Sequence, residues 1–104
     1  MPGAFTPTEV MRAHAMGVDA VKLFPASLEG PGFLRALLGP LAHVSLVPTG
    51  GIAIDEVSAY LTAGAGCVGL GGALAGERPR ANDTELGAIT ERAASAVAAI
   101  ADRP

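Results

Sequence analysis

The chain has 104 residues, of which half are hydrophobic and 4% aromatic, and its formal net charge at pH 7 is -3. This length allows one small domain, and the mild charge without a basic run argues against a nucleic-acid partner. One cysteine excludes an intramolecular disulfide framework, and no apolar run reaches the ~18 residues of a membrane span, so we expect a cytoplasmic protein without membrane contact.

The first predicted element is a helix with strong start and stop signals. Thr6 caps it, Pro7 takes its first position, Glu9 closes a capping box and Gly17 ends it. The side chains expected to face inward are Val10, Ala13 and Met16. A short apolar strand then follows over residues 20–24.

Two more helix and strand units follow. Pro31 opens a helix that Gly39 ends, and residues 44–47 form the next strand. A helix over residues 55–63 then precedes a third strand over residues 66–70. The inward side chains of these helices are predicted to be Phe33, Leu34, Leu37, Leu38, Val57, Tyr60 and Leu61.

A loop over residues 76–83, rich in charge and proline, leads to the last helix. Its predicted inward stripe is Leu86, Ile89, Ala93, Val97 and Ile100. Apolar strands separated by amphipathic helices indicate an α/β protein with a parallel sheet, in a (β/α) barrel or a doubly wound fold. Three strands cannot close an eight-stranded barrel, which needs at least ~200 residues. The chain is therefore either a small open fold or part of a larger one.

Lys22, the only lysine of the chain, lies inside the predicted strand over residues 20–24. The central strand of a parallel sheet is largely buried, and a buried ammonium must be paired or lose its proton. A neutral amine is a nucleophile whose usual target is a ketone or aldehyde carbon. The pattern alone also allows a lysine at a strand end that reaches solvent.

Glycine pairs follow the next two predicted strands: Gly50 and Gly51, then Gly71 and Gly72. Glycine lets backbone N–H groups approach an anion, and a following helix start favours negative charge. Phosphate loops after the last two strands are common in (β/α) barrels, although ordinary tight turns give the same pattern. Thr49, just before the first pair, could donate its hydroxyl to a ligand or cap the following turn.

The remaining polar or reactive side chains predict ordinary roles. We expect Cys67 to be a small core side chain, Tyr60 a core or interface residue, and Met11 a packing residue. His14 and His43 are far apart in sequence, and we expect structural or surface roles for both.

Taken together, these motifs resemble the KDPG (2-keto-3-deoxy-6-phosphogluconate) aldolase family, which includes 4-hydroxy-2-oxoglutarate aldolases and a KDPGal (6-phosphogalactonate) branch. Their order and spacing fit the family over nearly the whole chain. The matching motifs are Pro2-Gly3, Thr6-Pro7-Thr8-Glu9, Val21-Lys22-Leu23-Phe24-Pro25-Ala26, Gly39-Pro40, Pro48-Thr49-Gly50-Gly51-Ile52 and Gly69-Leu70-Gly71-Gly72.

The resemblance implies a (β/α)8 barrel, usually a homotrimer, that works without metal or cofactor. Residues 1–104 would be the C-terminal portion of one such domain, roughly strands six to eight with their helices. By position, Lys22 would form an imine with the substrate. The positions implied to line the substrate pocket, the last two at its phosphate end, are Phe24, Thr49, Gly50, Gly51, Gly71 and Gly72.

The implied reaction is that of a class I aldolase of the Entner–Doudoroff type. It cleaves 2-keto-3-deoxy-6-phosphogluconate, or the galactonate epimer, to pyruvate and glyceraldehyde 3-phosphate. Lys22 would attack the C2 ketone, and the resulting iminium would accept the electrons of the C3–C4 bond while a base removes the C4 hydroxyl proton.

Three departures from the family pattern bear on this prediction. Ala73 stands where many members have serine, which removes a hydroxyl from the expected phosphate pocket. Residues 27–31 look closer to the KDPGal branch. The glutamate and arginine that the family carries on strands one to five have no evident counterpart here, so we expect the 104-residue chain alone to be inactive.

Two other interpretations remain open. A phosphate-binding barrel enzyme without imine chemistry, such as an isomerase or a thiamine-phosphate synthase-like transferase, would share the glycine loops but would not need Lys22. A non-catalytic half-barrel would carry the same motifs without activity.

Overall fold

The computed structural model describes residues 1–76 and 82–101 and shows an α/β arrangement. The strands are β1 (Gly3–Ala4), β2 (Val21–Leu23) and β3 (Leu46–Pro48). The helices are α1 (Pro7–Ala15), α2 (Gly30–Leu38), α3 (Val57–Thr62), α4 (Gly72–Ala75) and α5 (Asp83–Ala101). Short 3₁₀ turns span Ala26–Leu28 and Ile54–Glu56. Most of the loop predicted over residues 76–83 lies outside the described residues.

The three strands form one parallel sheet in the order β1-β2-β3, which places β2 at its centre. Lys22 aligns with Gly3 on one side and with Val47 on the other. Strand β1 was not predicted, because a two-residue strand is too short to show an apolar alternation. The N–H of Lys22 donates to the carbonyl of Pro2 at 2.8 Å, so β1 covers this edge of β2.

The strand predicted over residues 66–70 is reduced to a single parallel bridge between Thr49 and Gly69. The N–H of Gly66 donates to Leu46 at 3.1 Å and that of Gly69 to Pro48 at 2.9 Å, so the segment does run beside β3. Its regular ladder fails because glycine weakens strands and here allows unusually close approach. A Cβ on Gly66 would lie 2.8 Å from the hydroxyl of Ser45. Its place as the last strand of a barrel stays a prediction.

The hydrophobic core lies between the sheet and helices α1 to α3. The helix residues predicted to face inward that are buried are Val10, Ala13, Leu34, Leu37, Val57 and Tyr60. The capping box of α1 is confirmed, since the hydroxyl of Thr6 accepts from the Glu9 N–H and the Glu9 carboxylate accepts from the Thr6 N–H. Three expectations were wrong: Met11 on α1, Met16 at its end and Cys67 are all exposed.

The stripe predicted to point inward from α5 is confirmed only in part. Ile89 and Ala93 are half-buried, but Leu86, Val97 and Ile100 are exposed, and the buried residue of this helix is Ala96. The helix packs against α3 and α4, where small alanine side chains permit close approach, and the Arg92 Nε donates to the carbonyl of Leu74 at 2.7 Å. In the part of the chain that the structure describes, no helix is both long and apolar enough to cross a membrane.

Candidate active site

Lys22 and Phe24 project from the same face of β2, because side chains two apart on a strand share a face. The ammonium nitrogen of Lys22 lies 4.8 Å from the centre of the Phe24 ring, within the range of a cation–π contact. The prediction that the whole central strand is buried holds for Val21 and Leu23, which are 0% and 1% exposed. Lys22 itself is only half-buried, and Phe24 is 49% exposed.

The amino group of Lys22 has no carboxylate partner among residues 1–76 and 82–101. The aromatic face of Phe24 is the one charge-stabilising contact recorded for it in that part of the chain. A lysine tied into an ion pair would have to break that pair before it could react. Here the amine is open to a ligand that approaches the face of β2.

The loop after β3 passes directly over the end of the lysine strand. Gly50 and Gly51 have φ values of 100° and 70°, which favour glycine. A Cβ on Gly50 would come within 2.8 Å of the Phe24 ring, and one on Gly51 within 2.8 Å of the Ser27 Cβ. Both backbone conformation and space therefore require glycine at these two positions.

Backbone hydrogen bonds fasten this loop to the Ala26–Leu28 turn that follows the lysine strand. The Ala26 N–H donates to the carbonyl of Thr49 at 2.9 Å, and the Ser27 N–H donates to that of Gly50 at 3.1 Å. The contact of Ser27 with the glycine loop was not predicted, since nothing in the local sequence around Ser27 places it against Gly51. The turn thus fixes the loop relative to Lys22.

The Thr49 hydroxyl donates to the carbonyl of Val47 at 3.3 Å. This hydroxyl was predicted either to bind a ligand or to cap the following turn, and its bond to the preceding Val47 does not cap that turn. Its oxygen lone pairs remain able to accept a hydrogen bond from a ligand. The side chain also packs against Gly69, where a Cβ would collide with it.

The two glycine pairs meet around one concavity of about 340 Å³. Its lining residues are Gly51, Ile52, Ala53, Gly71, Gly72 and Ala73. Nothing lies within 4 Å of where a Cβ of Gly71 or Gly72 would stand, so the backbone itself forms that wall. The N–H groups of Gly72 and Ala73 belong to the first turn of α4, where backbone donors lack an intrahelical acceptor.

The predicted site residues thus form two neighbouring groups. Lys22, Phe24 and Gly50 come together at the end of β2, while Gly51 and the second glycine pair line the concavity. Gly50 and Gly51 join the two groups covalently. Lys22 lies within β2, and the other residues follow the carboxyl ends of parallel strand segments, where α/β proteins build their sites.

Tyr60 supports the site from below. Its hydroxyl donates to the carbonyl of Ala26 at 3.2 Å, which anchors the turn that holds the glycine loop. Burial, together with the nearby Glu56 carboxylate, raises the pKa of the Tyr60 phenol, which keeps it protonated as the donor. No group of three His, Cys, Asp or Glu side chains in the described ranges could hold a metal ion.

Comparison with known proteins gives concordant matches. A family model described as KDPG and KHG aldolase matches residues 1–92. A probable 2-dehydro-3-deoxy-6-phosphogalactonate aldolase of Rhizobium meliloti (strain 1021) is 36% identical over 95 residues, 90% of this chain and 45% of the relative. A 2-dehydro-3-deoxy-phosphogluconate aldolase of Haemophilus influenzae is 43% identical over 61 residues, 58% of this chain and 29% of the relative.

Solved structures give the same picture. The structure described as native KDPGal superimposes with a TM-score of 0.86 at 29% identity, covering 98% of this chain and 48% of that one. A 4-hydroxy-2-oxoglutarate aldolase/2-deydro-3-deoxyphosphogluconate aldolase from TTHB1 gives a TM-score of 0.71 at 32% identity, covering 94% and 46%. The chain therefore spans less than half the length of these relatives.

Proposed function

The chain belongs to the KDPG and KHG aldolase family, and from that premise we propose that it supplies the Schiff-base lysine and part of the substrate pocket of a class I aldolase. The substrate would be 2-keto-3-deoxy-6-phosphogluconate or its galactonate epimer. The observation that carries the proposal is Lys22 on the central strand, whose amine has no carboxylate partner among the residues that the structure describes and lies beside the loop of Gly50.

In this mechanism the unprotonated amine of Lys22 attacks the C2 ketone, and water leaves to give an iminium. A base takes the proton of the C4 hydroxyl, and the C3–C4 bond breaks. Its electron pair moves to the iminium nitrogen, which yields glyceraldehyde 3-phosphate and an enamine. Protonation of the enamine at C3 and hydrolysis of the imine release pyruvate and restore Lys22.

Phe24 has a specific part in this scheme. The ring that now faces the ammonium, with its centroid 4.8 Å away, would face the iminium cation of the intermediate. The apolar surface of the Phe24 ring would also exclude water from the electrophilic carbon of the iminium. Phe24 packs closely against Gly50, where any side chain would collide with the ring.

The phosphate would lie in the concavity between the two glycine loops. Its wall offers backbone N–H groups and no charged side chain, so binding would depend on peptide dipoles. Ala73 lines this concavity without a hydroxyl, which leaves the contact to the backbone of Gly71 and Gly72. Support for the galactonate epimer comes from the Rhizobium meliloti relative, which matches 90% of this chain.

The base and the group that binds the substrate carboxylate would come from the part of the family domain that this chain does not span. General acid–base catalysis supplies about 10²–10⁴-fold in rate, so the 104-residue chain alone should release pyruvate only near background. Activity, and the trimeric assembly that the family resemblance implies, are proposed for the complete barrel.

The test is borohydride reduction in the presence of pyruvate, followed by intact mass and peptide mapping. Lys22 is the only lysine within residues 1–104, so peptide mapping distinguishes it from every other amine. One reduced pyruvate on the peptide that contains Lys22 is the expected result. Lys22→Arg keeps the positive charge but cannot form the imine, so it is the matched control. A label that persists in Lys22→Arg, or none on a folded, complete wild-type barrel, would exclude the proposal.

A further inference from the structure

His14 and His43 meet at the amino-terminal end of the sheet, far from the glycine loops. His14 lies in the last turn of α1, just before β2, and His43 lies in the turn just before β3. Their ring centroids are 4.9 Å apart and their planes are inclined at 71°. Both rings line a concavity of about 320 Å³ on the protein surface. The fold therefore brings into contact two imidazoles that lie far apart in the sequence.

The separation of the rings is that of two histidines on one metal ion. With metal–nitrogen bonds of about 2.1 Å and a tetrahedral angle, the centroids of two imidazoles that share an ion lie about 5 Å apart. His43 is exposed, so its ring can turn from the edge-to-face contact to direct a nitrogen toward the ion without disturbing the core.

Met11 adds a third ligand type to the same concavity. It precedes His14 by three residues on α1, a spacing that puts both side chains on one helix face. Met11 was expected to pack inside, but it is 57% exposed. Met11 therefore presents an accessible side chain to the concavity that the two imidazoles line.

We infer that Met11, His14 and His43 form a copper site. Imidazole suits several transition metals, but thioether sulfur selects soft ions, and copper accepts both. The other lining residues are uncharged, as expected for a site that holds a soft ion: Ala15, Pro40, Leu41 and Val44. A bound ion would clamp α1 to the turn before β3, at the end of the sheet opposite the glycine loops, so the proposed chemistry at Lys22 would not involve it.

The experiment is a cuprous-ion titration against a chromophoric chelator under anaerobic reducing conditions. It is done in a Cys67→Ser background, because the exposed thiol would itself bind copper. We expect one ion per chain and a rise in the thermal midpoint, because the ion binds only the folded state. His14→Ala and His43→Gln should each abolish this binding. The exposed position of His43 keeps its variant folded, which circular dichroism would verify.

Met11→Leu should weaken cuprous binding and leave zinc binding unchanged, because zinc prefers the imidazoles over the thioether. Met16→Leu is the matched control, since Met16 is exposed at the C-cap of the same helix but lies outside the concavity. The inference is overturned by the lack of a saturable site, by unchanged copper binding in either histidine variant, or by equal effects of the two methionine variants.

Discussion

The two faces of β2 have opposite environments. Val21 and Leu23 point into the core beneath α1 to α3 and are essentially inaccessible, whereas Lys22 and Phe24 point to the other side and remain accessible. Adjacent residues of one short strand therefore serve different purposes. The covered face stabilises the fold, and the accessible face presents the amine and the ring that we propose as part of the active site.

The largest effect should come from the accessible face. In the complete barrel, Lys22→Arg should reduce aldol cleavage to background while leaving the free energy of unfolding nearly unchanged, because the covalent intermediate cannot form. Pyruvate release measured beside urea unfolding separates the two effects. Turnover close to wild type would show that the amine is not needed.

Leu23 and Phe24, which are adjacent, test the contrast directly. Leu23 is 1% exposed, so Leu23→Ala should cost about 2–5 kcal/mol of stability. Phe24 is 49% exposed, so Phe24→Ala should cost less, about 1 kcal/mol, but should slow imine formation with pyruvate. Chemical denaturation and the rate of borohydride trapping are the measurements. Equal losses of stability in Leu23→Ala and Phe24→Ala would contradict the difference between the two faces of β2.

A smaller effect is expected in the glycine loops. Gly51→Ala places a side chain at φ 70° and against Ser27, so it should cost about 1–2 kcal/mol or more. Gly72→Ala has free space in α4 and should leave stability unchanged or raise it by about 0.5–1 kcal/mol.

Substrate binding gives a second test of Gly72→Ala. Gly72→Ala narrows the concavity, so it should raise KM for a phosphorylated substrate more than for an unphosphorylated analogue. Equal changes in KM for the two substrates would argue that phosphate binds elsewhere.

The smallest effect concerns the start of α1, which covers the core face. Hydrogen bonds from the Thr6 N–H and, with a smaller effect, from the Thr6 hydroxyl lower the pKa of Glu9 below its ordinary value. Because the pKa is lowered in the folded state, this stabilisation is complete above the unfolded pKa of about 4.3 and is lost as pH falls through the folded pKa. The Glu9→Gln variant should therefore lose less stability than the wild type when the pH falls from about 6 to about 3, a range that brackets that pKa.

The cap itself gives a control for that measurement. Thr6→Ala should cost about 1 kcal/mol at neutral pH. Urea midpoints across the pH range would measure both variants, and an unchanged pH dependence in Glu9→Gln would contradict the role of the carboxylate.

Local signals predicted much of the fold. The capping box of Thr6 and Glu9 and the buried positions of α1 to α3 could be identified because they depend on neighbours three or four residues away. Strand β1 and the burial of α5 could not. A two-residue strand exists only through pairing with β2, and the side of α5 that is buried depends on where α3 and α4 lie.

The sequence alone determined the parallel α/β pattern, the glycine pairs and the single lysine, because each depends on residue type and spacing along the chain. The tertiary structure decided which of these residues meet. The fold brought Ser27 into contact with Gly51 and Phe24 into contact with Gly50. It also placed the ring of His14 against that of His43. Such contacts depend on how neighbouring strands and turns pack in space, and no local periodicity encodes that distance.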